Sequence, residues 1–325
     1  MQSMQLDAII KLVQDSFQAV DALIIESLHS KTSLINDLSQ YILQSSGKRI
    51  RPLIVLLIAK AYGYEGTHHI PLAAIIEFVH TATLLHDDVV DSANCRRGKK
   101  TVNSVWGNEA AVLMGDFLYS KAFQMLVSVG NLSVMKILAD ATNIMAEGEA
   151  LQLLDRHKAE TTENTYLNVI RCKTAKLFEA SAQIGAILAN ADPKRVLMMT
   201  HFGIHLGTAF QLVDDVLDYR ASPDKTGKNL GNDLAEGKIT LPLIHILKNG
   251  TAEEIQLVKE AIREGGHEYF SAVQKIIETS GSIEYTLDYA ALEITRAKKA
   301  LDNLDPSPYK EAAFALANFA LKRDC

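Results

Sequence analysis

Two short acidic blocks carry the clearest chemistry in this chain. Asp87-Asp88-Val89-Val90-Asp91 and Asp214-Asp215-Val216-Leu217-Asp218 repeat the pattern Asp-Asp-x-x-Asp. On a helix, positions i and i+4 share a face, so two carboxylates there repel each other and favour a cation. Mg²⁺ takes hard oxygen ligands, usually a few carboxylates completed by substrate phosphates and water. Two such helices facing each other would hold a cluster of metal ions bridged by a diphosphate. One block alone reads equally well as a solvated helix face or a helix cap. Two copies, each backed by an apolar helix face, argue for metal. An EF-hand is disfavoured, because its ligands alternate around a central Gly and close on a Glu.

A second set of residues is cationic. Gly47-Lys48-Arg49-Ile50-Arg51-Pro52 brings three cations together at what reads as a loop entering a helix. Arg96-Arg97-Gly98 follows the first acidic block, Lys173-Thr174 lies mid-chain, and Lys228 and Lys238 flank the glycines after the second block. Arg grips phosphate through a planar fork and Lys through a mobile point charge. Each of these is more often a surface charge when taken singly; their closeness in sequence to the acidic blocks is what points to an anionic substrate. Other chemistry finds little support. No Gly-x-Ser-x-Gly, His-Glu-x-x-His or Gly-x-Gly-x-x-Gly is present, and Gly231 to Lys238 lacks P-loop spacing. His86 beside Asp87 has no nucleophile partner and reads as a helix-face histidine.

The elements that must position these groups read as helices. Seven prolines are scattered among long segments rich in Ala, Leu, Ile, Glu and Lys, which are good helix formers. Over 202–218, Phe202, Leu206, Ala209, Phe210, Val213, Val216 and Leu217 fall on one side, with Gln211, Asp214, Asp215 and Asp218 on the other. Over 72–91, Leu72, Ile75, Ile76, Val79 and Ala82 follow the i, i+3, i+4, i+7 pattern, with His80, Asp87 and Asp91 on a neighbouring face. Loops are expected around Ser92 to Gly98, Gly130-Asn131, Asn190 to Pro193, and Ser222 to Gly237. Alternating strand patterns are scarce. The expectation is an all-α chain forming a single domain over 1–325.

Bulk composition narrows the class further. A 325-residue chain with 48% hydrophobic and 22% charged residues can bury a large core. The net charge of −6 gives no basic field for nucleic acid. Cys95, Cys172 and Cys325 are odd in number and widely spaced, which indicates neither a disulfide framework nor a zinc site and fits a reducing cytoplasm. The N-terminus lacks the basic start and continuous apolar block of a signal peptide. No uninterrupted apolar stretch reaches the roughly 20 residues of a membrane span, so stable membrane insertion is not expected.

Taken together, the motifs resemble those of the trans-isoprenyl diphosphate synthase family. The resemblance rests on Leu84 to Asp91, Gln211 to Tyr219, Gly47-Lys48-x-x-Arg51-Pro52, Arg96-Arg97-Gly98, Gly115-Asp116-Phe117-Leu118, Lys173-Thr174 and Gly227-Lys228, all in the family's order. It implies an all-α helical bundle of the isoprenoid synthase type around a deep central cavity, and usually a homodimer. It implies two or three Mg²⁺ ions per active site, held by Asp87, Asp88, Asp91, Asp214, Asp215 and Asp218. Arg96, Lys173, Thr174, Gln211, Lys228 and Lys238 would grip an allylic diphosphate. Lys48, Arg51, His80 and Arg97 would bind isopentenyl diphosphate. Long-chain members, octaprenyl diphosphate synthases of quinone side-chain biosynthesis above all, resemble it most through Arg97 to Phe123 and Ala146 to Gln152.

The reaction implied is ionisation of an allylic diphosphate such as farnesyl diphosphate, attack by the double bond of isopentenyl diphosphate, and proton loss. Growth repeats until the tail meets a wall. Ala82 and Thr83 lie one turn before Asp87, with Ala82 about 7 Å from it along the helix. These small side chains would leave a channel open, and Leu126 and Leu138 are candidates for a deeper floor. A shorter-chain farnesyl or geranylgeranyl synthase, a terpene cyclase, a non-catalytic subunit of a heteromeric synthase and a metal-binding helical scaffold are the competing readings. The cyclase leaves the second cationic site unexplained, the subunit leaves two complete acidic motifs unexplained, and the scaffold leaves the ordered cations unexplained.

Overall fold

A computed structural model describes residues 4–44, 47–220 and 230–322. Its helices begin with α1 Leu6–Lys11, α2 Gln14–Ser27, α3 Ser33–Leu43, α4 Ile50–Ala61, α5 His69–Val90, α6 Val102–Trp106, α7 Asn108–Val129 and α8 Leu132–Asp155. They continue with α9 Glu163–Ile170, α10 Lys176–Leu188 and α11 Pro193–Arg220. Helices over Asn232–Ala235, Leu241–Asn249, Ala252–Glu264, Phe270–Thr279, Ser282–Leu301 and Pro308–Leu321 complete the list. The all-α expectation holds. Among the described residues the only strands are β1 Cys95–Arg96 and β2 Lys99–Lys100, a small hairpin that the helix-dominated sequence pattern does not announce.

Helix ends follow local chemistry. Pro193 opens α11, where its missing N–H costs nothing, and Asp192 Oδ1 accepts from the backbone N–H groups of Lys194 and Arg195 at 2.9 and 3.0 Å. Gly130 ends α7 at φ 69°, and Thr251 with Glu254 forms a reciprocal capping box. Residues 92–94, 130–131 and 190–192 are loops as expected, whereas the hairpin takes up the rest of the first loop, Pro193 already opens α11, residues 222–229 of the fourth lie outside the described residues, and Asn232–Ala235 within it is a short helix.

The chain divides into two compact units. The first comprises Met1–Thr142, Leu177–Gly203 and Ala300–Leu316. Its core is built on α4 and α5, where Leu53, Leu56, Leu57, Leu72, Ile76 and Phe78 are buried, and α5 packs along α4 and α7. Small residues permit the closest approaches. A Cβ on Gly185 would meet Ile58 of α4 at 2.8 Å, and one on Gly115 of α7 would run into the His86 imidazole of α5.

The second unit comprises Asn143–Lys176, Ile204–Lys299 and Ala317–Cys325. Leu206, Ala209, Leu212, Val213 and Val216 of α11 are buried, as the helical phase predicts. Glu293 is fully buried, held by His205 Nδ1 at 2.5 Å and Arg296 Nη1 at 2.6 Å. Burial pushes its carboxyl up, but the bonds and charges of His205 and Arg296 outweigh that and hold it below the usual range. Among the described residues, α11 is the one helix long and apolar enough to cross a membrane by length and composition, and half of its apolar window is buried inside the protein.

Candidate active site

In the first unit the site is built on the last turns of α5. Glu77, His80, Thr81, Leu84 and Asp88, which recur at three- and four-residue steps along one side of α5, line one cavity. Asp88 is only 4% exposed, and its Oδ1 accepts from Arg96 Nε at 2.8 Å and Nη2 at 2.7 Å. Asp87 and Asp91 are half-buried beside it. The hairpin explains how Arg96 returns to α5. Arg96 pairs with Lys99 across the two residues Arg97 and Gly98, whose φ values are both positive at 52° and 73°. Such a tight turn needs two left-handed residues, and it points adjacent arginines at different targets. Arg97 approaches Gly47 so closely that a Cβ there would collide with its guanidinium.

Arg51, on the first turn of α4, donates from Nη1 to His80 Nε2 at 3.1 Å, and its guanidinium lies 4.3 Å from the ring centre of Phe178. Burial, reinforced by Arg51, Arg97 and Arg96, pushes the His80 imidazole well below its ordinary range, so it is neutral with its proton on Nδ1. Arg49 adopts φ 49° and pairs with Asp21. Burial raises the Glu77 carboxyl, against the pull of Arg49, Arg51 and Arg97. Gly47, Arg49, Glu77, His80, Asp88, Arg96 and Arg97 therefore share one cavity wall; Arg51 joins through His80, and Lys48 is exposed and outside that lining.

In the second unit the site is built on α11. Gln211 Nε2 donates to Asp215 Oδ1 at 2.8 Å, Tyr166 donates to Asp215 Oδ2, and Thr174 Oγ1 donates to Gln211 Oε1 at 2.9 Å. Asp215 is 2% exposed. Burial, with Asp233 and Asp214 nearby, pushes its carboxyl well up despite the Tyr166 and Gln211 bonds. Asp218 Oδ2 accepts from the Asp233 backbone N–H at 3.1 Å, and its carbonyl accepts from Gly231 N–H at 3.0 Å. This fastens the segment carrying Lys238, whose Nζ meets Glu236 at 2.6 Å.

A π-helical turn over Arg171–Ala175 joins α9 to α10 and presents Lys173 and Thr174. Lys173 Nζ donates to Gln152 Oε1 at 2.8 Å and pairs with Glu149. Gly148 allows this approach, since a Cβ would stand 2.8 Å from Lys173 N. Arg156, Lys173, Thr174, Gln211, Asp215 and Lys238 line one cavity, together with Tyr166 and Asp233. Lys228 lies outside the described residues. Ala82, Leu126 and Leu138 are buried and line neither cavity, and Thr83 Oγ1 turns back to the His80 carbonyl at 2.8 Å.

The donor set suits a hard divalent cation. Asp215 and Asp233 put carboxylates into a buried, charge-crowded cavity, and Asp87 and Asp91 flank a carboxylate already held by Arg96. Among the described residues no three His, Cys, Asp or Glu side chains form a ready-made ion cage. An ion here would take remaining ligands from water and phosphate oxygens, which is how Mg²⁺ is commonly held.

Sequence reasoning does not single out Glu77, Tyr166, Asp233 or Arg156. Glu77 was accessible through its three-residue offset from His80. Tyr166, Asp233 and Arg156 come from segments whose nearness to the second acidic block only the fold sets.

Residues 32–279 match the polyprenyl synthetase family model. The octaprenyl diphosphate synthase of Escherichia coli strain K12 is 48% identical over 322 residues, covering 99% of this chain and 100% of the relative. The geranyl-diphosphate-specific all-trans-nonaprenyl-diphosphate synthase of Rhodobacter capsulatus is 43% identical, covering 98% and 97%. The crystal structure of a Caulobacter crescentus CB15 polyprenyl synthase complexed with calcium and isoprenyl diphosphate superposes with a TM-score of 0.95 at 38% identity, covering 99% of each chain. With its acidic motifs, its helical fold and these full-length relatives, the chain belongs to the polyprenyl synthetase family and is a prenyltransferase.

Proposed function

We propose that this enzyme is an octaprenyl diphosphate synthase that extends an allylic primer such as farnesyl diphosphate with successive isopentenyl diphosphates, for quinone side chains. The observation that carries the reading is common to both acidic motifs. Each sends its second aspartate, Asp88 or Asp215, into a cavity where it is buried, hydrogen-bonded and accompanied by cations.

In this reading Asp87, Asp88, Asp91, Asp214, Asp215 and Asp218 would hold two or three Mg²⁺ ions at the allylic diphosphate. Mg²⁺ bound there would supply positive charge to balance the departing diphosphate. Arg96, Lys173, Thr174, Gln211, Lys228 and Lys238 bind the same leaving group and stabilise its charge as the carbon–oxygen bond breaks. Lys48, Arg51, His80 and Arg97 hold isopentenyl diphosphate, so that its double bond attacks the allylic carbon. The proton then lost passes to the released diphosphate, and the product is again allylic. No protein nucleophile is needed, in keeping with the lack of a triad motif. Ala82 and Thr83 keep the path of the growing tail open, and Leu126 and Leu138 form its floor.

The 325 residues act as one catalytic domain in the cytoplasm, paired as a homodimer. The dimer proposal rests on α7, where Val112, Leu113, Phe123 and Val127 are exposed along one helical face. The test of the whole reading is incubation of the purified chain with farnesyl diphosphate, radiolabelled isopentenyl diphosphate and Mg²⁺. Octaprenyl diphosphate is the expected dominant product by mass. A shorter dominant product refutes the chain-length assignment, and absence of label in prenyl product refutes the activity.

A further inference from the structure

We propose that Arg156 is an additional diphosphate-binding residue of the allylic substrate, acting beside Lys173 and Lys238; the inference rests on the function proposed above. Arg156 immediately follows α8 and lines the cavity that also contains Lys173, Thr174, Gln211, Asp215 and Lys238. No motif marks it, since its sequence neighbours Asp155, His157 and Lys158 read as an ordinary charged loop.

The backbone around it is fixed. His157 adopts φ 61°, its N–H donates to the Gly237 carbonyl at 2.9 Å, and its Nδ1 donates to the Ile262 carbonyl at 2.9 Å. A Cβ on Gly237 would collide with the His157 ring, so the two segments are in close contact. Arg156 is thereby tied to the stretch that carries Lys238, one residue beyond Gly237. Lys173 and Lys238 are each steered by an acidic neighbour, Glu149 and Glu236. Both offer a point charge, whereas a guanidinium offers two parallel N–H donors that match a pair of phosphate oxygens. A diphosphate presents several such pairs, and one planar fork among point charges would fix its orientation as well as its charge. The bland alternative is a structural role, with Arg156 balancing Asp155 and Asp233 in the same lining.

The test uses the full-length enzyme with Arg156→Gln and Arg156→Lys. Two quantities are measured: KM for farnesyl diphosphate and for isopentenyl diphosphate, and the affinity for inorganic pyrophosphate with Mg²⁺ by calorimetry. Arg156→Gln is expected to raise the farnesyl diphosphate KM and weaken pyrophosphate binding by about tenfold each, leaving the isopentenyl diphosphate KM within about twofold. Arg156→Lys, which keeps the charge and loses the fork, is expected to fall between. It carries the test alone if the Gln variant does not fold. Unchanged pyrophosphate affinity, or a uniform loss in both KM values together with a lowered Tm, overturns the assignment. A wild-type enzyme that binds pyrophosphate through Arg156 yet incorporates no isopentenyl diphosphate overturns the proposed function instead, and with it the identity of the ligand.

Discussion

Arg51 Nη1 stands 3.1 Å from His80 Nε2, and since a guanidinium only donates, His80 accepts as a neutral imidazole. Its protonation is suppressed by burial and by Arg51, Arg97 and Arg96. The unfolded chain protonates this histidine at the ordinary imidazole value of 6.5, while in the folded chain protonation is pushed to well below it. Between those two pKa values the unfolded state binds more protons, so stability falls as pH falls below 6.5. His80→Gln keeps a polar partner for Arg51 and has no such titration. Thermal denaturation across this range should show the wild type losing stability faster than the variant on acidification, and parallel curves would remove His80 as the cause.

Gly47→Ala should act on isopentenyl diphosphate alone. The added methyl meets the Arg97 guanidinium, which must move. About a tenfold rise in the isopentenyl diphosphate KM is expected, with the allylic KM nearly constant, since one charge-assisted hydrogen bond is worth about 1.5–3 kcal/mol. Steady-state kinetics with each substrate varied in turn decides it.

Tyr166→Phe removes a donor to Asp215 and leaves the buried carboxylate with Gln211. Activity should drop by about tenfold or more, with a higher Mg²⁺ requirement, because the Tyr166 bond favours the charged, metal-binding form of a carboxyl that burial otherwise pushes up. A Mg²⁺ titration of initial rate reads this directly. An unchanged titration curve would make the Tyr166 bond incidental.

Chelation should abolish turnover, and Mg²⁺ should restore it. Asp88→Asn is expected to lower kcat by two or more orders of magnitude while the fold survives, since Arg96 can still meet the remaining carbonyl oxygen. Circular dichroism beside the rate separates catalytic loss from unfolding.

Ala82→Phe should shorten the product while leaving the first condensation active. Mass analysis of the products tests it, and an unchanged length distribution would remove Ala82 from the path of the tail.

The fold class was legible because the helical phase of α5 and α11 puts Leu72, Ile76, Phe202 and Leu206 on buried sides. Both acidic blocks were legible for the same reason, as each stands at the end of a periodic apolar face. Arg96-Arg97-Gly98 was legible as charge but not as shape. The hairpin depends on two residues with positive φ, and arginine in that conformation has no sequence signature. Tyr166 reads as an ordinary core aromatic until its hydroxyl is seen on Asp215. Arg156 reads as a solvated charge until its cavity is known. Such partners come from distant segments, and periodicity speaks only of neighbours three or four residues away.

The π-helical turn at Arg171–Ala175 has one more implication. A wider turn accommodates an extra residue, and each residue rotates a regular helix by about 100°. Shortening this stretch by one amino acid to restore ideal winding would not relax the protein harmlessly. It would swing the Lys173 and Thr174 directions around the axis, relative to either α9 or α10. The irregularity behaves as a phase adjuster, and an engineer who straightens it should expect a folded, helical and inactive enzyme.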